Sequence, residues 1–138
     1  MTRKETRENL YIMLFRLDFH DGDDLKEQAE MYLEDLENAP AKIKKELSEK
    51  FNKVIEHLDE IDSLIEEKAK GWTVNRIAKA ELTVLRLGIF EILYVDDVPN
   101  KVAINEAVEI AKAYGGDKGA GFVNGILASV VREIPEEK

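Results

Sequence analysis

From Leu82 to Val95, fourteen residues, only Arg86 and Glu91 carry charge. Leu82, Val84, Leu85, Leu87, Ile89, Phe90, Ile92, Leu93, Tyr94 and Val95 would point in every direction around a helix. A helix apolar all round is buried on most of its sides. This one falls short of the roughly 20 apolar residues that a membrane span needs. The segment therefore predicts a central helix against which the other elements pack. Gly88 in its interior costs about 1 kcal/mol relative to alanine, and the compensation expected is close approach of another helix. Arg86 on the same helix requires an internal partner, for which Glu81, Glu91 and Glu106 are the candidates.

The remaining segments show helical spacing and no sustained alternation of period two, so the fold class is all-α. Thr2-Arg3-Lys4-Glu5 has the form of a capping box. Leu10, Met13, Leu14 and Leu17 follow it, predicting a first helix over residues 3–19. His20 to Asp24 reads as a turn. Leu25, Ala29, Tyr32, Leu33 and Leu36 mark a second helix ending before Pro40, and Ile43, Leu47, Phe51, Val54 and Leu58 a third. Asp59 or Asp62 is placed to cap a further turn containing Ile61, Leu64 and Ile65, with His57 as a polar position beside that joint. Val74, Ile77 and Ala78 suggest a short helical piece before the central helix. Ile104, Ala107, Val108, Ala111 and Tyr114 mark a helix ended by Gly115-Gly116, and Phe122, Val123, Ile126, Leu127 and Val130 mark the last one. Gly71-Trp72-Thr73 is the clearest boundary. It predicts an N-terminal helical subdomain over 1–70 and a C-terminal one over 71–138, with Trp72, the sole tryptophan, plugging the seam. A ligand-stacking role is the alternative for that indole.

Charge is placed unevenly. The chain of 138 residues has a formal net charge of −9. Residues 1–16 carry +2, residues 17–70 carry −9 and residues 71–138 carry −2. That acidity argues against nucleic-acid binding over the whole surface but leaves room for a local basic patch at the N-terminus. Arg3, Lys4 and Arg7 stand where the positive end of the helix dipole disfavours cations, which hints that they serve something other than helix stability. The chain has no cysteine and two widely separated histidines, so thiolate chemistry is excluded and a metal or acid–base site is not expected. The N-terminus lacks a signal-peptide core and no apolar run has the length of a membrane span, so a cytoplasmic location is expected.

No segment announces catalysis. The glycine-rich run Gly115 to Gly121 lacks both a preceding strand and the GxxxxGK[ST] order. It reads as a helix joint whose amides, with Lys118, offer a phosphate some purchase. Arg76, Asn105, Glu106 and Asn124 place polar groups at helix starts or on otherwise apolar helices, where satisfying local backbone is the ordinary role. Binding, not catalysis, is the function class left standing, with no cofactor.

At this point a family resemblance enters. The run Trp72-x-x-x-Arg76-x-x-x-x-Glu81-x-x-x-Leu85-Arg86-x-x-x-Phe90-Glu91 resembles the central signature of the NusB family. So do Val98-Pro99-x-Lys101-Val102-Ala103-Ile104-Asn105-Glu106-Ala107 and its continuation to Lys112, and the closing Phe122-Val123-Asn124-Gly125-Ile126-Leu127. Arg3-Lys4-x-x-Arg7 with Leu14-Phe15 is similar to the family's arginine-rich opening, although Lys4 stands for an arginine and Thr6 for a small alanine. Gly119 and Gly121 replace a common serine and a common basic residue. The resemblance implies about seven helices in two packed subdomains and no catalysis. It implies a transcription antitermination factor that binds boxA, a single-stranded RNA segment in ribosomal RNA operon leaders, together with ribosomal protein NusE, within a complex on RNA polymerase. By that carry-over Arg3, Lys4 and Arg7 are RNA candidates, while Glu81 and Arg76 are candidates for the NusE-facing surface. From the residues themselves, Lys118 at the glycine-rich joint and Phe122 after it are further RNA candidates, with a place in the core of the last helix as the alternative for Phe122. A homodimer is compatible with the sequence. A NusB-like domain also occurs ahead of RNA cytosine methyltransferases, but this chain has neither a Rossmann glycine motif nor a cysteine for that chemistry. A helical protein-interaction module without RNA function is the third alternative.

Overall fold

The computed structural model describes residues 1–19 and 22–134. His20 and Asp21 of the expected turn, and Pro135 with the charged tail to Lys138, lie outside the described residues. Among the described residues there are six α-helices and no strand. They are α1 (Arg3–Phe15), α2 (Gly22–Asp35), α3 (Ala41–Glu56), α4 (Leu58–Lys68), α5 (Lys79–Tyr94) and α6 (Asn100–Arg132), with single 3-10 turns at Arg16–Asp18 and Val74–Arg76. The sequence suggests about seven, and the difference lies in α6. Gly116 has φ 82° and ψ −179°, so α6 is two helical segments, 100–115 and 117–132, meeting at a break. The break falls where Gly115-Gly116 predicts a helix end, because glycine alone enters that region of positive φ without steric cost.

The chain divides into two compact units, Met1–Glu56 and His57–Lys138. The division comes before α4, earlier than Gly71, because α4 packs on α5 and α6. In the first unit α3 packs against α1 and α2. Its core is Leu10, Tyr11, Met13 and Leu14 of α1, Leu25 of α2, and Leu47, Phe51 and Val54 of α3. Full burial of a side chain such as Phe51 or Leu47 stabilises by roughly 1.5–3 kcal/mol. Tyr32 of α2 donates its hydroxyl hydrogen to Asn9 Oδ1 of α1, and the Arg16 guanidinium lies 5.2 Å from the Tyr32 ring centroid, so polar contacts tie α2 back to the first helix.

In the second unit α5 is the central helix that its composition demands: every residue from Leu82 to Ile92 is buried. A methyl at Gly88 would stand 2.8 Å from Leu127 Cδ1 and 3.5 Å from Ala107 Cβ, both on α6. Close helix approach thus accounts for the glycine. Arg86, 3% exposed, is also satisfied internally, but its bidentate partner differs from the candidates expected. Its Nε and Nη2 donate to the two carboxylate oxygens of Asp62 on α4, each at 2.9 Å. Asp62 is therefore not a helix cap, and Asp59 is not one either: the N-cap of α4 is His57, without a side-chain cap hydrogen bond. At the other end of α4, the half-buried Lys68 pairs with Glu133 just beyond α6, and this hydrogen bond holds the ammonium pKa above its usual value.

Trp72 does not plug a seam. It is 53% exposed, on the turn between α4 and the Val74–Arg76 helix. Burial at this turn goes instead to the small Ala69 and the aliphatic Ile77 on either side.

Candidate nucleic-acid and partner interface

The start of α1 is built around its cations. Thr2 has extended backbone, φ −78° and ψ 166°. Its Oγ1 accepts from the Glu5 N–H at 3.0 Å, and its own N–H donates to Glu5 Oε1 at 2.9 Å, which completes the capping box. The Thr2 N–H, and then its hydroxyl, hold the Glu5 carboxyl below the usual carboxylate range. Thr6, where the family favours alanine, is buried, and its hydroxyl donates to the Thr2 carbonyl at 2.9 Å. On this fixed first turn Arg3 and Lys4 are exposed and Arg7 is half-buried. Positions 3, 4 and 7 share one helix face, so the sequence-predicted cluster is brought together.

The other candidates belong to the second unit. Lys118 is exposed and Phe122 half-buried, one turn apart on the segment 117–132. Spacing of i, i+4 sets them on one face. Asn105 and Asn124 are exposed, so neither amide is a buried joint. Arg76 is exposed at the end of the short 3-10 helix. Glu81, half-buried in the first turn of α5, turns its carboxylate onto the break in α6. A methyl at Gly115 would stand 2.7 Å from Glu81 Oε1, and one at Gly119 would overlap that oxygen outright. Gly119, where the family favours serine, is thus the residue that makes room for this carboxylate. Gly121 has open space instead.

Several features carry no local signal in the sequence. The His57 ring stacks on Tyr94, centroids 4.1 Å apart and 18° from parallel. The Tyr94 hydroxyl donates to Glu60 Oε2 at 2.6 Å, and His57 Nδ1 stands 3.5 Å from the same oxygen. Desolvation first, then the bond to Glu60, pushes the Tyr94 phenol up to about 12, while that bond holds Glu60 low. A groove of about 390 Å³ opens between α2 and α3, lined by Leu33, Phe51 and Ile55 among others. The His57–Glu60 approach is an i,i+3 pair, but the contacts of Tyr94 with both join residues distant in the chain and do not follow from spacing. Among the described residues no helix is long and apolar enough to cross a membrane, and no cluster of three His, Cys, Asp or Glu side chains is placed to hold a metal ion.

Among the described residues the architecture is all-α, with cations and amides on its helix surfaces, which places the chain in the class of small helical proteins. The chain belongs to the NusB family, whose model matches residues 4–132; this is a family of transcription antitermination proteins, not of enzymes. Similar relatives are the transcription antitermination protein NusB of Agathobacter rectalis, 49% identical over 128 residues (93% of this chain, 98% of the relative), and that of Lachnoclostridium phytofermentans, 49% identical over 131 residues (95% and 99%). Among solved structures, NusB from T. maritima superposes with a TM-score of 0.88 at 34% identity, covering 96% of this chain and 92% of that one. A chain from the complex of antitermination factors NusB and NusE with double-stranded RNA shares the fold, with a TM-score of 0.83 at 24% identity, covering 96% and 97%.

Proposed function

We propose that this protein binds boxA-type single-stranded RNA of ribosomal RNA operon leaders together with NusE, and so helps assemble an antitermination complex on RNA polymerase in the cytoplasm. The observation that carries the reading is the set Arg3, Lys4 and Arg7 on one face of a capped helix start, in a chain of net charge −9 that belongs to the NusB family. Arginine grips phosphate through a planar fork and stacks on bases, and lysine adds a point charge. Lys118 and Phe122 extend the reading: single-stranded RNA is recognised by bases stacked on aromatic faces with cations on the backbone. Arg76 and Glu81 are assigned to the NusE side. A chain of the solved complex of NusB and NusE with double-stranded RNA has the same fold, which supports looking for both partners at once.

The strong overall acidity makes RNA affinity weak for the chain alone and dependent on NusE. Fluorescence anisotropy with a boxA RNA and a scrambled control, with and without NusE at two salt concentrations, tests this. Discrimination for boxA should strengthen with NusE and weaken with salt. Replacing Arg3, Lys4 and Arg7 together by Ala should lower the steepness of the log–log salt dependence by roughly 2, at about 0.7 per phosphate contact on a single strand. Equal affinity with and without NusE would remove the dependence. Unchanged RNA binding by the triple variant would shift the function to a protein-interaction module.

A further inference from the structure

We infer that the turn carrying Trp72 is an anchor for the protein partner, with the indole seated in an apolar pocket of that partner and Lys70 and Arg76 facing its carboxylates. This rests on the reading of NusE as a partner and adds to it the residue that would contribute most to the contact.

Trp72, the sole tryptophan, is 53% exposed although its size and apolarity favour burial. The turn that presents it is fixed at both ends. Ala69 and Ile77 are buried, the Val74 N–H donates to Glu66 Oε2 at 2.8 Å, and the Arg76 N–H donates to the Thr73 carbonyl at 2.9 Å. Lys70 and Gly71 both take positive φ, 42° and 96°. A non-glycine residue in that region is strained and persists there when its surroundings over-determine it. The exposed indole therefore stands on a turn tied by hydrogen bonds on its C-terminal side, which reduces the ordering entropy lost when a partner covers it.

The surroundings favour a protein over an RNA. Single-stranded nucleic-acid sites combine a groove of one charge sign with aromatics in succession. Here a single aromatic stands in a stretch of chain whose exposed charges are of both signs: Lys70 and Arg76, with Glu66 and Glu67 from the last turn of α4. An aromatic centre with an arginine beside it and a mixed polar rim is the anatomy of a protein–protein hot spot. Arg76 and Glu81, assigned to NusE by family resemblance, follow Trp72 in the same short stretch of chain.

The test labels the full chain with 5-fluorotryptophan, so that one ¹⁹F resonance reports on position 72 alone. Purified NusE should shift that resonance; boxA RNA without NusE, and dilution of the chain, should leave it in place. Trp72→Ala should weaken NusE binding at least about 10-fold, as for a hot-spot residue, with Trp72→Phe losing less and the far-UV circular dichroism of both unchanged. NusE binding is read separately by anisotropy of labelled NusE. A complex that forms with the resonance unmoved overturns this inference and leaves the proposed function standing. A shift with RNA alone makes the turn an RNA contact, and a shift with chain concentration makes it a self-association surface; either overturns the inference. Failure of NusE to bind at all overturns both readings.

Discussion

Removing the Asp62 carboxylate tests the pair that joins α4 to α5. The Arg86 side chain is 4% exposed, the Asp62 side chain 21%, and the pair is bidentate. Breaking a buried ion pair from one side costs about 3–5 kcal/mol, because the remaining charge is left without its partner. Asp62 is open enough for water to approach the vacated position, so the lower end of that range, about 3 kcal/mol, applies to Asp62→Ala. Asp62→Asn keeps one acceptor and should cost about 1–2 kcal/mol, the difference between a charged and a neutral hydrogen bond with similar shape. Replacing both partners with apolar residues, Asp62→Leu with Arg86→Met, removes the desolvation burden with the attraction and should land within about 1 kcal/mol of the parent or above it. Urea unfolding followed by far-UV circular dichroism at pH 7 reads all three. The single variants should shift the midpoint without changing the slope. The reasoning is refuted if Asp62→Ala unfolds within about 0.5 kcal/mol of the parent, the range of an ordinary surface change.

Three further outcomes follow from particular contacts. Gly88→Ala places a methyl 2.8 Å from Leu127 Cδ1; overpacking of about 1–3 kcal/mol against a helix-propensity gain of about 1 kcal/mol predicts a net loss that Leu127→Val in the same chain partly restores, measurable by thermal unfolding. Trp72→Ala, at an exposed position, should change stability by no more than about 0.5 kcal/mol, where a buried tryptophan would cost about 3–5; urea midpoints decide between them. The Tyr94 phenol, pushed up to about 12, should ionise later than an ordinary tyrosine in the absorbance difference between the parent and Tyr94→Phe near 295 nm. Because its folded value is raised, its contribution to stability is complete below pH 10 and lost as pH rises towards 12. Glu60, held low by the same bond, contributes above the usual carboxylate pKa and loses that contribution as the medium turns acid. A difference titration centred near pH 10 would contradict the Tyr94–Glu60 bond.

The fold was legible wherever composition left one physical solution. A fourteen-residue stretch with two charges had to be a central helix, and Gly88 inside it had to mark a close neighbour; both hold. Partner choice was not legible. Arg86 demanded a carboxylate, and spacing along its own helix and the next offered Glu81, Glu91 and Glu106, yet Asp62 arrives from α4, which only the packing of α4 on α5 supplies. Trp72 shows the other failure. Hydrophobicity and rarity argued for burial, but the two left-handed residues at Lys70 and Gly71 turn the chain so that Ala69 and Ile77 are buried and the indole is not. Of the site, the cationic face at positions 3, 4 and 7 follows from helical periodicity alone, whereas the meeting of Glu81 with Gly115 and Gly119 needs the break at Gly116.

The same local logic explains how α1 tolerates its cations. Three positive side chains in the first two turns oppose the dipole, at about 0.3–1 kcal/mol each near an exposed terminus. The opposition is answered in the same turn. Glu5 brings a carboxylate to the positive end and holds the Thr2 N–H, Thr2 satisfies the Glu5 N–H, and the buried Thr6 hydroxyl ties back to the Thr2 carbonyl. A capping residue contributes about 0.5–2 kcal/mol, enough to offset most of that repulsion. Thr6 then has a purpose at a position where alanine would suffice for a helix without such a load. The Thr2–Glu5 box and the Thr6 hydroxyl thus order the terminus on which Arg3, Lys4 and Arg7 share one face.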